Sequence, residues 1–355
     1  MPESAPFPAV TVLIPAYNLE RYIADAIRSA AGQDYNGPLQ VIVLDDGSTD
    51  QTYETARQTA QGLPQVQVYQ QSNQGRAGAR NRLLELASTE LVGWLDGDDM
   101  ADPSWLREQV ELALGAADLV AVSGQGYAMT ANRQPIGPIV RPRDHAEIEA
   151  AHLQGHSNAF FQSCTVVRKS KVSAAGGYRS NYSASEDYDL WLRLAEFGRF
   201  ANHHRPHLYY RVHSTSANAT LSLQQKQQGS KSVNEARQRR GLAPLNSPSE
   251  PQDIPASRLD WNRQVYWINI ALRSGNPWTA VGMAISATRR HPISILLWLM
   301  LAVALADSLL QLGNRSGRFR AGHANQFGTL GRFTVYRFAS QLVRWKRCLT
   351  GRQRP

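Results

Sequence analysis

Cysteine is scarce in this chain: Cys164 and Cys348 are the two present among 355 residues. Two cysteines build no disulfide framework, and neither lies in a CxxC or Cys/His pattern with zinc spacing. Aromatics make up 8%, and the 26 glycines and 18 prolines are ordinary for this length, which excludes collagenous and low-complexity classes. The first ten residues, MPESAPFPAV, lack a basic segment followed by an apolar one. No secretory signal is read there, and a reducing, cytoplasmic compartment is expected. Acidic residues are missing after Asp307, whereas residues 313–355 hold ten Lys/Arg, which leaves residues 1–312 with 28 basic against 29 acidic. The net charge of +9 is therefore a property of the tail. A basic tail beside an apolar segment suits an anionic membrane surface; no nucleic-acid motif accompanies it, and no nucleic-acid partner is expected.

What is present in the first 125 residues is an alternation of strand and helix signals. Residues 10–14 (VTVLI), 39–44 (LQVIVL), 66–69, 91–95 and 119–123 read as short buried strands. Residues 19–31, 49–62 and 75–87 carry helical spacing between them, and Asp102-Pro103 reads as the cap and first residue of another helix. Alternation of this kind predicts an α/β fold with a mostly parallel sheet and helices on both faces. Ligands of such sheets bind beyond the carboxyl ends of the strands. The residues there are Pro15-Ala16-Tyr17-Asn18, Asp45-Asp46-Gly47-Ser48 and Asp96-Gly97-Asp98-Asp99. No GxGxxG or Walker lysine follows the first strand, so neither a dinucleotide fold nor a P-loop enzyme is supported.

Three carboxylates within four residues, Asp96, Asp98 and Asp99, repel one another unless a cation or hydrogen-bond donors neutralise them. Hard oxygen ligands suit Mg²⁺ or Mn²⁺, which bridge substrate phosphates. A plain reading, a solvated turn capping the next helix, stands beside this one for the cluster taken alone.

The ordered set of strings is more specific than any one of them. VTVLIPAYNLERYIADAIRSAAGQDYNGPLQVIVLDDGSTDQT, GRAGARN (75–81), WLDGDD (94–99), GGY (176–178), SEDYDLWLRL (185–194) and YYRVH (209–213) follow one another over residues 8–216. This set resembles glycosyltransferase family 2, inverting enzymes with the Rossmann-like GT-A fold. The resemblance implies a nucleotide-sugar donor, usually a UDP-sugar, with Pro15, Tyr17 and Asp46 matching positions that hold the base and ribose. Arg80 matches a basic position near the nucleotide. Asp96, Asp98 and Asp99 match the segment that binds ribose and a divalent metal, Mn²⁺ or Mg²⁺, with Asp98 or Asp99 as direct ligand. His213 matches a histidine that adds to the metal. Asp187 matches the catalytic base, which takes a proton from the acceptor hydroxyl, and Glu186 an acceptor-side or helix-orienting position. Residues 155–164 occupy the place of an acceptor loop, with His156, Ser157 and Asn158 as weaker contacts.

These implications amount to a metal-dependent inverting transferase that moves a sugar to a glycan or lipid-linked acceptor in cell-surface polysaccharide synthesis. A processive synthase and an inactive nucleotide-sugar binding module are the alternatives. Gln341 to Trp345 (QLVRW) matches a string of processive synthases but lies far from Asp187, and reads as coincidence. The expected organisation is a catalytic domain over 1–220, a linker over 221–257, a helical region over 258–312 and a basic tail over 313–355. Within the helical region, residues 292–306 (PISILLWLMLAVALA) are apolar for about fifteen positions, short of the ~20 needed to span a bilayer. With the tail, they predict a protein peripheral on, or anchored to, the inner face of the cytoplasmic membrane.

Overall fold

The computed structural model describes residues 7–213, 222–245, 256–290 and 295–315. The chain divides into two compact units, 1–134 with 138–253, and 135–137 with 254–355.

In the first unit, β1 (Val10–Ala16) and β2 (Leu39–Asp45) are apolar on both faces because both faces are covered. Leu13, Ile42 and Leu44 enter one core layer, and Val12, Ile14, Val41 and Val43 the other, as the two-residue period of a strand requires. α1 (Ile23–Ala31) covers the second layer with Ile23, Ala26, Ile27 and Ala30, a stripe at helical spacing. α2 (Thr52–Ala60) and β3 (Val66–Gln70) follow; α3 (Gly75–Leu86) then sends Ala77, Leu83 and Leu84 to the first layer. The elements that follow along the chain are β4 (Leu91–Trp94), β5 (Met100–Ala101), α4 (Trp105–Gly115), β6 (Leu119–Thr130), β7 (Pro135–Ile139, its first three residues assigned to the second unit), α5 (His145–Leu153), β8 (Thr165–Arg168), α6 (Lys169–Ala174), α7 (Glu186–Leu194) and β9 (Arg199–Val212). Trp191 fixes α7 by packing against Phe160 and Phe200 at 5.2 and 6.0 Å. Truncating such a buried aromatic costs about 3–5 kcal/mol.

The nine strands form one sheet in the order β3-β2-β1-β4-β8-β6-β9-β5, with β7 on β6. The expected α/β architecture with helices on both faces is present, but the parallel character holds only for β3-β2-β1-β4 and for β6 with β9. β8 runs antiparallel to both β4 and β6, and β5 antiparallel to β9, so the sheet is mixed. Asp102 does not cap α4 as expected. Its carboxylate accepts the Ser104 N–H and hydroxyl at 3.0 and 2.7 Å, an Asx-type turn that delays the helix to Trp105.

The expected linker over 221–257 is corrected in its first half by α8 (Ser222–Arg239). Val233 and Ala236 pack on Tyr188 and Leu192 of α7. Glu235 accepts from Arg179 at 2.9 Å, and Arg240, just beyond α8, pairs with Glu149 and Glu196. The Gln-rich, polar sequence of α8 hides these anchors, a small apolar contact and several ion pairs. Residues 246–255 lie outside the described residues.

The second unit contains α9 (Ala256–Arg273), α10 (Pro277–Arg290) and α11 (Ile295–Arg315). The apolar stretch expected to end at 306 continues as one helix beyond it. Met300, Ala304, Asp307 and Ser308 are buried, whereas Trp298, Leu299 and Leu305 are about half exposed. Among the described residues, no helix is long and apolar enough to cross a membrane. The basic tail beyond residue 315, with Cys348 and the QLVRW string, lies outside the described residues.

Candidate active site

The loops after β1, β2 and β4 meet at one edge of the sheet, because β1 is hydrogen-bonded to both β2 and β4. The Asn18 side chain accepts the Thr49 N–H at 2.9 Å, and the Ser48 hydroxyl accepts the Asn18 N–H at 2.9 Å. Glycine is required twice here. A Cβ on Gly97 would lie 3.0 Å from the Pro15 carbonyl oxygen, and Gly47, at φ +72°, would meet the Asn73 N at 2.7 Å. These contacts explain the glycines inside DDGS and DGDD.

Tyr17 is 48% exposed and Pro15 is partly exposed. Asp46 is buried, and its Oδ1 accepts from Gln71 Nε2 and the Gln74 N–H, each at 2.8 Å. It therefore ties the start of α3 to β2, a supporting role that the sequence did not reveal.

Arg80 is also buried. One guanidinium nitrogen donates to Asp96 Oδ1 at 2.9 Å and Nε lies 3.4 Å from Glu186 Oε1. Its guanidinium stacks over Trp94 and Tyr178 at 5.4 and 5.7 Å. Burial opposes the Arg80 charge, but Asp96 and Glu186 outweigh it and its pKa is raised. Arg80 thus joins the loop after β4 to the start of α7. The neighbouring Asn81 pins the GGY segment, accepting the Tyr178 N–H at 2.9 Å and donating to the Tyr178 carbonyl at 2.8 Å.

Asp98 and Asp99 have different surroundings. Asp98 Oδ2 lies 2.9 Å from His213 Nε2, with 23% of its side chain exposed against 3% for His213. The His213 ring rests on Tyr22 at 4.7 Å. Asp99 is 2% exposed, and its Oδ1 accepts the Arg211 N–H at 2.9 Å while the Ser163 hydroxyl donates to the same carboxyl. The three expected metal ligands therefore do not converge: Asp98 and His213 meet, and Asp99 is engaged within the protein. Burial raises the Asp96 carboxyl, an effect Arg80 opposes and Asp98 strengthens. Burial raises Asp99 well above the usual carboxylate range, and Asp98 and Asp96 add to that. Three crowded carboxylates, with Asp96 and Asp98 partly exposed and Asp98 beside an imidazole, fit a hard divalent cation.

Between residues 184 and 194, Asp187 is the one position that solvent reaches; the others are buried. It sits in the first turn of α7, where its Oδ1 accepts the Tyr188 N–H at 2.7 Å. Glu186 is 1% exposed, and both its oxygens lack a hydrogen-bond partner; Arg76 and Arg80 lie 3.6 and 3.4 Å away. Burial lifts its carboxyl to about 7, opposed by Arg76 and Arg80 and helped by Asp187. Arg76 was not singled out from the sequence; its place one turn before Arg80 on α3 was the available signal. Asp189 is buried between Arg179 and Arg193 and orients α7. His156, Ser157 and Asn158 form an exposed turn.

A second group, Glu108, His203 and His207, has ligand-type atoms within 4.8 Å of one another. Its hydrogen bonds are already committed. Gln109 accepts the Val166 N–H through Oε1 and donates from Nε2 to the Cys164 carbonyl, so Nε2 is also the atom facing His207 Nδ1 at 3.0 Å. His207 Nδ1 must accept that bond, which leaves the proton on Nε2, donated to Glu108 at 2.9 Å. Arg205 adds a cation to the same carboxylate at 2.6 Å. This group is a hydrogen-bonded brace between α4 and β9.

Residues 11–175 match the family model described as Glycosyl transferase family 2. The chain is 27% identical over 239 residues to an uncharacterized glycosyltransferase of Haemophilus influenzae, covering 63% of this chain and 72% of that protein. It is 28% identical over 242 residues to a chondroitin synthase of Escherichia coli and over 257 residues to a hyaluronan synthase of Pasteurella multocida. Those matches cover 66% and 71% of this chain but only 33% and 25% of the two synthases. In fold it is similar to a crystal structure of S. aureus TarS 1–349, with a TM-score of 0.50, 17% identity, and coverage of 87% of this chain and 92% of that one. The ordered motifs, the converging strand ends and these likenesses agree that the chain is a glycosyltransferase, with residues 11–175, a little under half of its length, similar to glycosyltransferase family 2.

Proposed function

We propose that this glycosyltransferase transfers one sugar, with inversion, from a UDP-sugar to a hydroxyl of a glycan or lipid-linked acceptor in cell-surface polysaccharide synthesis. The observation that carries this reading is the Asp96–Arg80–Glu186 chain of 2.9 and 3.4 Å contacts. It ties the loop that carries Asp98 to the start of α7, whose first turn carries the solvent-reachable Asp187. Tyr17 and Pro15 receive the nucleoside at the rim, and Asp46 braces the loop beneath it. Asp98 and His213 would hold Mn²⁺ or Mg²⁺, and such a cation, when bound, would supply Lewis-acid stabilisation of negative charge on the diphosphate. Asp187 accepts the proton of the acceptor hydroxyl as its oxygen bonds to the anomeric carbon. The bond from that carbon to the diphosphate oxygen breaks on the opposite face, so the configuration inverts. Glu186, buried behind Asp187 and flanked by two arginines, sets the base rather than meeting the acceptor.

The second unit supports a location on the inner face of the cytoplasmic membrane. Trp278 and Ile285 on α10, and Trp298, Leu299 and Leu305 on α11, are exposed. An outward apolar face followed by ten cations suits an anionic interface.

TarS has been crystallised with UDP-GlcNAc, which makes UDP-GlcNAc the first donor to test. A panel of nucleotide sugars with Mn²⁺, scored by thermal shift and by UDP release, tests the reading. Stabilisation by one UDP-sugar that disappears in EDTA is expected; equal response with and without metal would overturn the metal assignment.

A further inference from the structure

Arg211, two residues before His213 on β9, is 1% exposed and uses its backbone and side chain at four separate points. Its N–H donates to Asp99 Oδ1 at 2.9 Å and Nε to the Asp98 carbonyl at 2.7 Å. Nη1 donates to the Ala131 carbonyl at 2.8 Å and Nη2 to Asp25 Oδ2 on α1 at 3.0 Å. The guanidinium also lies over the Tyr22 ring at 4.9 Å, the same ring that supports His213 at 4.7 Å. Arg211 lies near the end of β9 and His213 directly follows that strand, and the Tyr22 ring contacts both.

We infer that Arg211 is a positioning residue that holds the Asp98 carboxylate and the His213 imidazole in register for a divalent cation. This rests on the proposed role of Asp98 and His213 as metal ligands. The physical reason lies in the shape of the group. Asp98 follows a strand only four residues long, and its own carbonyl is the acceptor for Arg211 Nε. A planar guanidinium with donors in a fixed fork can tie the Asp98 carbonyl, the end of β6 and α1 together at once. A lysine ammonium is a single point charge and cannot span three acceptors in different directions. Asp25 compensates the buried cation, and Tyr22 transmits the alignment to His213. Arg211 touches neither donor nor acceptor; it acts through the two ligands.

The test is titration of UDP binding with Mn²⁺ by calorimetry on the full chain, for the wild type, Arg211→Lys and Asp25→Asn, with UDP affinity in EDTA and melting temperature measured alongside. Removing a partner that orients metal ligands typically weakens metal affinity 10–100-fold. The half-saturating Mn²⁺ concentration should rise about tenfold or more in Arg211→Lys and less in Asp25→Asn. UDP affinity in EDTA should stay at the wild-type value, and the transfer rate should recover at saturating Mn²⁺. Wild-type Mn²⁺ dependence in both folded variants would overturn the role of Arg211 alone. An equal loss of UDP affinity in EDTA and in Mn²⁺ would also overturn it, because a general structural role does that. If the wild type shows no Mn²⁺ dependence, the metal reading fails and this inference with it. Asp25→Asn keeps the experiment decisive should Arg211→Lys not fold.

Discussion

Asp98 and His213 stand 115 positions apart in the chain, yet the carboxylate Oδ2 and the imidazole Nε2 meet at 2.9 Å. The pairing of β6 with β9 in parallel brings His213 to the carboxyl end of the sheet where Asp98 already lies. Asp99, one residue on, faces into the protein and accepts from Arg211.

This difference makes Asp98 and Asp99 separable. Asp98→Asn removes a charged ligand and should lower kcat/KM by about 10²–10³-fold, with loss of Mn²⁺-stimulated UDP binding. Asp99→Asn keeps an oxygen that accepts the Arg211 N–H, so Mn²⁺ stimulation should survive. Metal titration of the two variants checks this; the opposite pattern would exchange their roles.

Asp187→Asn keeps the size of the side chain and removes its basicity. General-base removal costs about 10²–10⁴-fold. Transfer should fall by that factor while UDP-sugar affinity, read by calorimetry, stays near wild type. Normal turnover would assign the base elsewhere, and Glu186→Gln is then the next variant to assay.

The buried Glu186 should leave a signature in stability against pH. Its carboxyl is lifted from the ordinary 4.5 to about 7. The folded state then holds more protons than the unfolded state in that window, so stability falls as pH rises from about 4.5 through about 7. The loss amounts to about 3 kcal/mol at 1.36 kcal/mol per pKa unit. Glu186→Gln resembles the neutral form and should remove this slope. Urea denaturation at pH 5 and pH 8 measures it; an unchanged slope in the variant means that another group titrates.

The exposed apolar face of the second unit predicts two kinds of attachment. Cations in the tail contribute about 1 kcal/mol each near an anionic leaflet, and this part weakens with salt because the Debye length shrinks from about 10 Å at 0.1 M to about 3 Å at 1 M. Burial of Trp298 and Leu305 resists salt. Sedimentation with anionic vesicles should therefore be partly reversed by 1 M salt. Trp298→Ser with Leu305→Ser should lose the salt-resistant share. A chain that stays in the supernatant at low salt would refute membrane attachment.

Much of this architecture was legible before any coordinates. The two-residue alternation in β1 and β2 and the helical stripe in α1 are properties of side chains a few positions apart, and the elements formed where those periods predict. The placement of DDGS and DGDD at one edge followed too, because parallel strands with helical crossovers point their carboxyl ends the same way. β8 was harder. Four residues, TVVR, give no sign of strand direction, which depends on the side from which the chain re-enters the sheet.

The polar site divides along the same line. The motifs that resemble glycosyltransferase family 2 point to Asp98 and His213 as proposed metal ligands and Asp187 as the proposed base. Tertiary structure alone decided that Asp99 faces inward, that Arg80 bridges Asp96 to Glu186, and that Arg211 gathers Asp25, Asp98 and Asp99. Position 80 lies 16 residues from Asp96 and 106 from Glu186, and no local pattern relates such distances. The order of strands and the burial around them bring these charges together, and low exposure then forces each to find a partner, since an isolated buried charge costs far more than a paired one.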